Sequence, residues 1–322
     1  MSLTPYGELD LIEELRPELL GYCYRMTGSL FEAEDALQEA RIRVWRHRDQ
    51  LRTEEARRAW IYRIVTNICL DRLRSAKRRA LPMDLSESAA QIAEPRDTLP
   101  AEAWIWPAPA SLGDPLNIVL DKETLRLSFL ALLQRLPPRQ RAALILQDVF
   151  RWPAAEAAEA LGMTKAAVGS ALQRARASLA GTELRSESLR NLDNDADREL
   201  LDRYVEAFEA YDIDALLTLF HEQAGLSMPP FVMWVSGRSS IASFYEAVRR
   251  HCTGSRLLRI RANGGCPAFA HYVPAGEGGP LTPWSIQIPE IRERRIVHLH
   301  HFIDAALFER FVLPRTDEFP AP

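Results

Sequence analysis

Residues 161–180, LGMTKAAVGSALQRARASLA, combine a Gly turn, a Thr and polar and basic side chains at helical spacing. Lys165, Gly169, Gln173 and Arg176 fall on one stripe of a helix, with Ser170 and Arg174 beside it. Cationic side chains in such a row neutralise phosphates, while Gln and Ser reach base edges. Thr164 is placed to cap the helix, and Gly162 to turn the chain before it. Ala158 is the small residue where a preceding helix would touch, with Val168 and Leu172 as anchors. This is the pattern of a helix-turn-helix over 154–176, docked in a major groove. An Ala-rich hairpin with a basic edge has the same pattern, so this stretch alone leaves both readings open. Gly169 costs the helix up to about 1 kcal/mol and removes one side-chain contact.

A second basic helix is predicted over 56–79, ARRAWIYRIVTNICLDRLRSAKRR. Ile61, Ile64, Val65 and Ile68 form its buried face, and Trp60 joins the core. Arg63, Asn67, Asp71, Arg74 and Arg78 recur on the other side, a row suited to a DNA backbone and its base edges. Alone, this too could be a solvated amphipathic helix.

These rows need helical elements to hold them. Residues 9–79 read as helix almost throughout, with a polar break at 46–57. Residues 80–115 are rich in Pro, Ala and acids and read as an extended linker. Its Trp104 and Trp106 call for a docking surface. Helices resume over 116–180. The net charge of −4 hides a segregation: residues 41–80 carry thirteen Lys/Arg against four acids, and residues 1–40 two against nine. Blocks of opposite sign meet different partners. The four cysteines form no CxxC pair, which argues against zinc and fits reduced thiols. No run of about eighteen apolar residues is present, so no membrane span is expected.

Taken together, the two motifs resemble bacterial sigma factors of the extracytoplasmic-function group of the sigma-70 type. GSLFEAEDALQEARIRVWR (28–46) resembles the region 2 helix that docks on the β′ clamp helices of RNA polymerase. RRAWIYRIVTNICLDRLR (57–74) resembles the helix that handles the −10 element, and 136–179 resembles region 4, which reads the −35 element. The resemblance implies polymerase docking by Asp35, Gln38 and Glu39. It implies −10 contacts from Arg63, Asn67, Asp71 and Arg74, and −35 contacts from Thr164, Lys165, Ser170, Gln173, Arg174 and Arg176. It also implies capture of a flipped non-template base by the 46–57 loop. The linker would thread toward the active cleft of the polymerase.

After 181 the chain changes class. DADRELLDRYVEAFEAYDIDALLTLF (195–220) reads as two helices. FVMWVSG, RLLRIRANG, PAFAHYV, SIQI and RIVHLHHFID then read as strands of a curved antiparallel sheet, with EGGPLTP as a loop or hairpin tip. This part resembles a SnoaL-like domain of the nuclear-transport-factor-like superfamily, a cone of helices closed on a sheet. Some sigma factors carry it as a C-terminal extension, and the resemblance implies control of the sigma domains in cis. His221, His271, His298, His300, His301 and Asp304 are the titratable candidates there. On an alternating strand His298 and His300 share one face and His301 takes the other, with one face expected in solvent. No acid and base pair with distinct roles emerges, so no catalysis, metal or cofactor is expected.

The predicted organisation is multidomain. Residues 1–80 form sigma region 2, 81–115 the linker, 116–185 region 4, and 193–315 an α+β cone. The expected function is a cytoplasmic alternative sigma factor. Its partners are core polymerase (β′ clamp helices and β subunit) and promoter DNA, with intramolecular contact from the C-terminal domain. The alternative is a helix-turn-helix regulator with a ligand-sensing or enzymatic SnoaL-like domain.

Overall fold

A computed structural model describes residues 7–47, 56–75, 79–89, 97–112, 126–180, 195–276 and 278–315. Most of the 46–57 loop, Arg78 and parts of the linker lie outside the described residues. The chain divides into two compact units. One comprises 1–79 and 105–185; the other comprises 80–104 and 186–322.

The first unit is all helical. It contains α1 (Gly7–Glu14), α2 (Arg16–Thr27), α3 (Leu30–His47) and α4 (Arg57–Ser75), then α5 (Leu127–Arg135), α6 (Pro138–Leu144), α7 (Ala154–Leu161) and α8 (Lys165–Leu179). Gly28 ends α2 in the left-handed region, its N–H donating to Tyr24 O at 2.7 Å. Only Gly takes that conformation without strain. The turn lets α3 fold back on α2.

α6 runs on into one π-helical turn, Ile145–Val149, which delivers Phe150 and Trp152 to the α2–α4 pair. Phe150 lies 6.0 Å from the Tyr22 ring and 6.3 Å from Tyr62, with the Arg25 guanidinium 5.6 Å from its centre. Trp152 packs at 4.5 Å on Tyr62 and under Arg58 at 4.7 Å. Buried Glu18 accepts from Arg58 at 2.5 Å and from Tyr62 at 2.6 Å, so its charge is compensated. Buried Arg141 of α6 donates to Met26 O and to Gln134 Oε1, and Gln134 Nε2 donates to Arg25 O. The two sequence motifs therefore share one core.

The second unit is the α+β part. α9 (Asp195–Glu209), α10 (Ile213–Leu217) and α11 (Arg238–Cys252) close on a six-stranded sheet of order β2-β1-β6-β5-β4-β3. The strands are β1 (Phe220–Ser227), β2 (Trp234–Ser236), β3 (Arg256–Ala262), β4 (Cys266–Pro274), β5 (Leu281–Arg292) and β6 (Arg295–Phe302), and α12 (Ala306–Arg310) follows. Register shifts in β1, β4 and β5 bend the sheet. Tyr204 and Phe208 of α9 fill the concave side against Phe269 and His271.

Two expectations are corrected. The sheet is not wholly antiparallel, because β6 enters last between β1 and β5 and pairs parallel to β1. β1 itself, FHEQAGLS, was not anticipated: it lacks β-branched residues and contains Gly225. That Gly has a reason. It stands opposite His298, and a Cβ there would lie 2.3 Å from His298 Nδ1.

The segment 80–104 is also more than a tether. Thr98 bridges Phe231, Val232 N donates to Asp97 O, and Leu99 N donates to Pro230 O. Ala89 N donates to Trp234 O at 2.8 Å, and Trp234 Nε1 donates to Ser86 O at 2.9 Å. The linker is thus hydrogen-bonded on both sides of Phe231–Trp234. Trp104 and Trp106 are buried, and Trp106 meets Phe31 edge-on while its carbonyl accepts from Tyr24.

Gly225→Ala is expected to destabilise the chain by about 1–3 kcal/mol through overpacking. Adding His298→Ala should recover most of the loss in thermal unfolding. An unchanged melting temperature for Gly225→Ala alone would contradict the close approach.

Candidate nucleic-acid interface

On α3, Asp35 and Gln38 are exposed and Glu39 is half-buried. Arg72 of α4 organises the acids, at 3.3 Å from Glu39 and 3.8 Å from both Asp35 and Glu32. Arg43 also holds Glu39, at 2.5 Å. The acids are thus positioned while Asp35 stays two-thirds accessible. Ile42 and Trp45 continue the stripe at i+7 and i+10 from Asp35, and both are about half exposed. The sequence reading passed over them because only exposure separates them from core positions. They are two large exposed apolar groups on the helix face that carries Asp35.

On α4, Arg63, Asn67, Asp71 and Arg74 are all exposed, as their spacing predicts. Arg74 pairs with Asp71 at 3.2 Å. Trp60 is half-buried. Arg63 lies over the turn between α7 and α8: a Cβ on Gly162 would sit 3.4 Å from its Nη2. The α4 row and the helix-turn-helix are therefore neighbours within the first unit.

The helix-turn-helix forms as the sequence indicates. Gly162 ends α7 in the left-handed region, and the Thr164 side chain accepts from Ala167 N at 3.1 Å. Ala158 and Val168 are buried, while Leu172 is half-buried. Lys165, Ser170, Gln173 and Arg174 project into solvent, and a Cβ at Gly169 would meet nothing within 4 Å. Arg176 is exposed but engaged: its Nε and Nη2 donate to both carboxylate oxygens of Asp148, at 2.9 and 2.6 Å. The π-helical turn sets Asp148 there.

In the sheet, His298 and His300 share the convex face and His301 the concave one, as alternation requires. His300 and His301 are both buried, while His298 on the convex face is half-buried. A chain of contacts runs Glu290–His300–Ser227–His298, with Ser227 Oγ at 3.0 Å from each imidazole and Glu290 at 3.4 Å. On the other face His271 bonds to Ser285 and Ser255. Burial, then the neighbouring histidines, holds His298 and His271 well below the usual imidazole range, and His301 falls to about 3. A cavity between Phe208, Tyr211, Leu216 and Tyr245 has room for one water, about 10 Å³. Among the described residues no group of three His, Cys, Asp or Glu could hold a metal, and no helix is long and apolar enough to cross a membrane.

Comparison with known proteins supplies the frame. The chain matches the Sigma-70 region 2 family over 11–79, the Sigma-70 region 4 family over 126–179 and the SnoaL-like domain family over 201–299. It is 39% identical over 312 residues to the ECF RNA polymerase sigma factor SigG of Mycobacterium tuberculosis, covering 94% of this chain and 82% of that one. The chain belongs to the extracytoplasmic-function sigma factors. A second relative of this sigma factor, SigJ from the same organism, is 34% identical over 307 residues, 91% of this chain and 90% of that one. The crystal structure of Mycobacterium tuberculosis SigJ superposes with a TM-score of 0.61 at 25% identity, covering 95% of this sigma factor and all of SigJ.

Two predictions follow from the geometry. Lys165→Ala and Arg174→Ala should each reduce promoter affinity and flatten the salt dependence of binding by about 0.9 in slope. Arg176→Ala should change the slope less, because Asp148 already compensates its charge. The buried histidines set a pH dependence. His301 titrates lower in the folded chain than unfolded, so its contribution is complete above pH ~6.5 and fades toward about 3. Between pH 7 and 5 the C-terminal domain should lose about 2 kcal/mol of stability from this group, and His301→Leu should flatten that fall in urea titrations.

Proposed function

We propose that this sigma factor docks on core polymerase through α3, reads its promoter with α4 and α8, and is regulated in cis by its C-terminal domain through the captured linker. Asp35, Gln38 and Glu39 form the polar part of the docking face, and Ile42 and Trp45 extend it. Arg63, Asn67, Asp71 and Arg74 act at the −10 element. Thr164, Lys165, Ser170, Gln173 and Arg174 act at the −35 element, with Arg176 steadied by Asp148. The chain supplies promoter choice and strand opening in the cytoplasm, and the polymerase performs the chemistry.

The observation that carries the regulatory part is the hydrogen-bonded linker. Residues 80–104 are the first half of the only covalent path from α4 to α5, and they belong to the C-terminal unit. Holding them shortens the free tether. The two DNA-reading faces share a core through Phe150 and Trp152, and separate promoter elements require them to part. A shortened tether opposes that. The cone acts as a restraint on the linker.

The test is run-off transcription with purified core polymerase. Trp234→Ala removes the indole N–H that holds Ser86 and should raise promoter-specific product several-fold without changing polymerase affinity. Equal product from the two proteins would contradict control through the linker. Asp35→Ala with Gln38→Ala should abolish polymerase binding at unchanged helicity.

A further inference from the structure

Cys23 of α2 and Cys69 of α4 face each other in the region 2 core. Their sulfurs are 3.8 Å apart, with the Cys69 thiol donating, and both side chains are fully buried. Next to them Tyr22 OH and Thr66 Oγ1 bond at 2.8 Å and fix the same two helices. The sulfurs are in van der Waals contact, and a disulfide needs them at about 2.05 Å. We propose that Cys23 and Cys69 are a peroxide-reactive dithiol that forms an intramolecular disulfide.

Burial selects the oxidant. A bulky disulfide reagent would have to leave half of itself in the core as a mixed disulfide, whereas hydrogen peroxide is scarcely larger than water. One thiolate attacks a peroxide oxygen; an S–O bond forms, the O–O bond breaks, and hydroxide leaves and takes up the thiol proton as water. The second sulfur then attacks the sulfenic sulfur; the S–S bond forms, the S–O bond breaks, and the second thiol proton leaves with hydroxide as another water. Two thiols lose two electrons and peroxide gains them. The resolving sulfur is already in contact, so the sulfenic acid is intercepted before further oxidation. The hydrogen bond from Cys69, then burial, holds the Cys23 thiol well above its ordinary value, and Arg72 pulls the other way. The product ties the helix bearing Arg63, Asn67, Asp71 and Arg74 to α2.

The experiment treats the full wild-type chain with hydrogen peroxide, alkylates it with N-ethylmaleimide under denaturing conditions, and measures intact mass and peptides. The expected result is a species with two fewer alkylations whose chain, apart from the missing adducts, is about 2 Da lighter than the dithiol. Peptides containing residues 23 and 69 should be linked in it, and dithiothreitol should restore both thiols. Cys23→Ser should instead accumulate sulfenic or sulfinic acid at Cys69. Full alkylation of both cysteines after treatment, or their separate oxidation to sulfinic acid in the wild-type chain, would overturn the assignment.

Discussion

The packing of Phe150 and Trp152 against Tyr22, Tyr62, Arg25 and Arg58 is the contact on which the first unit depends. It joins two helical modules that are separated in sequence by a long linker. It also fixes where the exposed polar and basic rows of α4 and α8 stand, with Arg63 over the turn at Gly162. Aromatic pairs and stacked guanidinium groups are worth about a kcal/mol each beyond the area they bury. A handful of them holds the first unit closed.

The second unit takes hold of the chain that connects those modules. Its grip is backbone hydrogen bonding along Pro230–Trp234, with the Trp234 indole N–H and the Ser86 hydroxyl added. Such bonding depends little on side-chain identity, so a tether rich in Pro, Ala and acids can serve. Burial in the sheet holds the imidazoles of His271, His298 and His301 well below the usual range, so protonating them costs the domain stability.

Much of this was legible in the sequence. Helical spacing located α4 and α8 and the exposed rows on them, because one buried stripe dictates the opposite face. Turn chemistry at Gly162 and Thr164 marked boundaries that the fold uses. What escaped has physical causes. β1 owes its place to neighbours and to the space Gly225 leaves for His298, which no local propensity reports. The exposure of Ile42 and Trp45 and the pairing of Arg176 with Asp148 are tertiary facts. The linker read as a tether because backbone pairing with a distant segment leaves no periodic trace.

The central claim is that the α4 and α8 faces are held together in the free protein and separate on the promoter. Pulsed electron-spin resonance between labels at Arg74 and Arg174 measures it directly. A short, narrow distance distribution in the free chain should give way to a much longer one with core polymerase and promoter DNA. The same distance in both states would contradict the account.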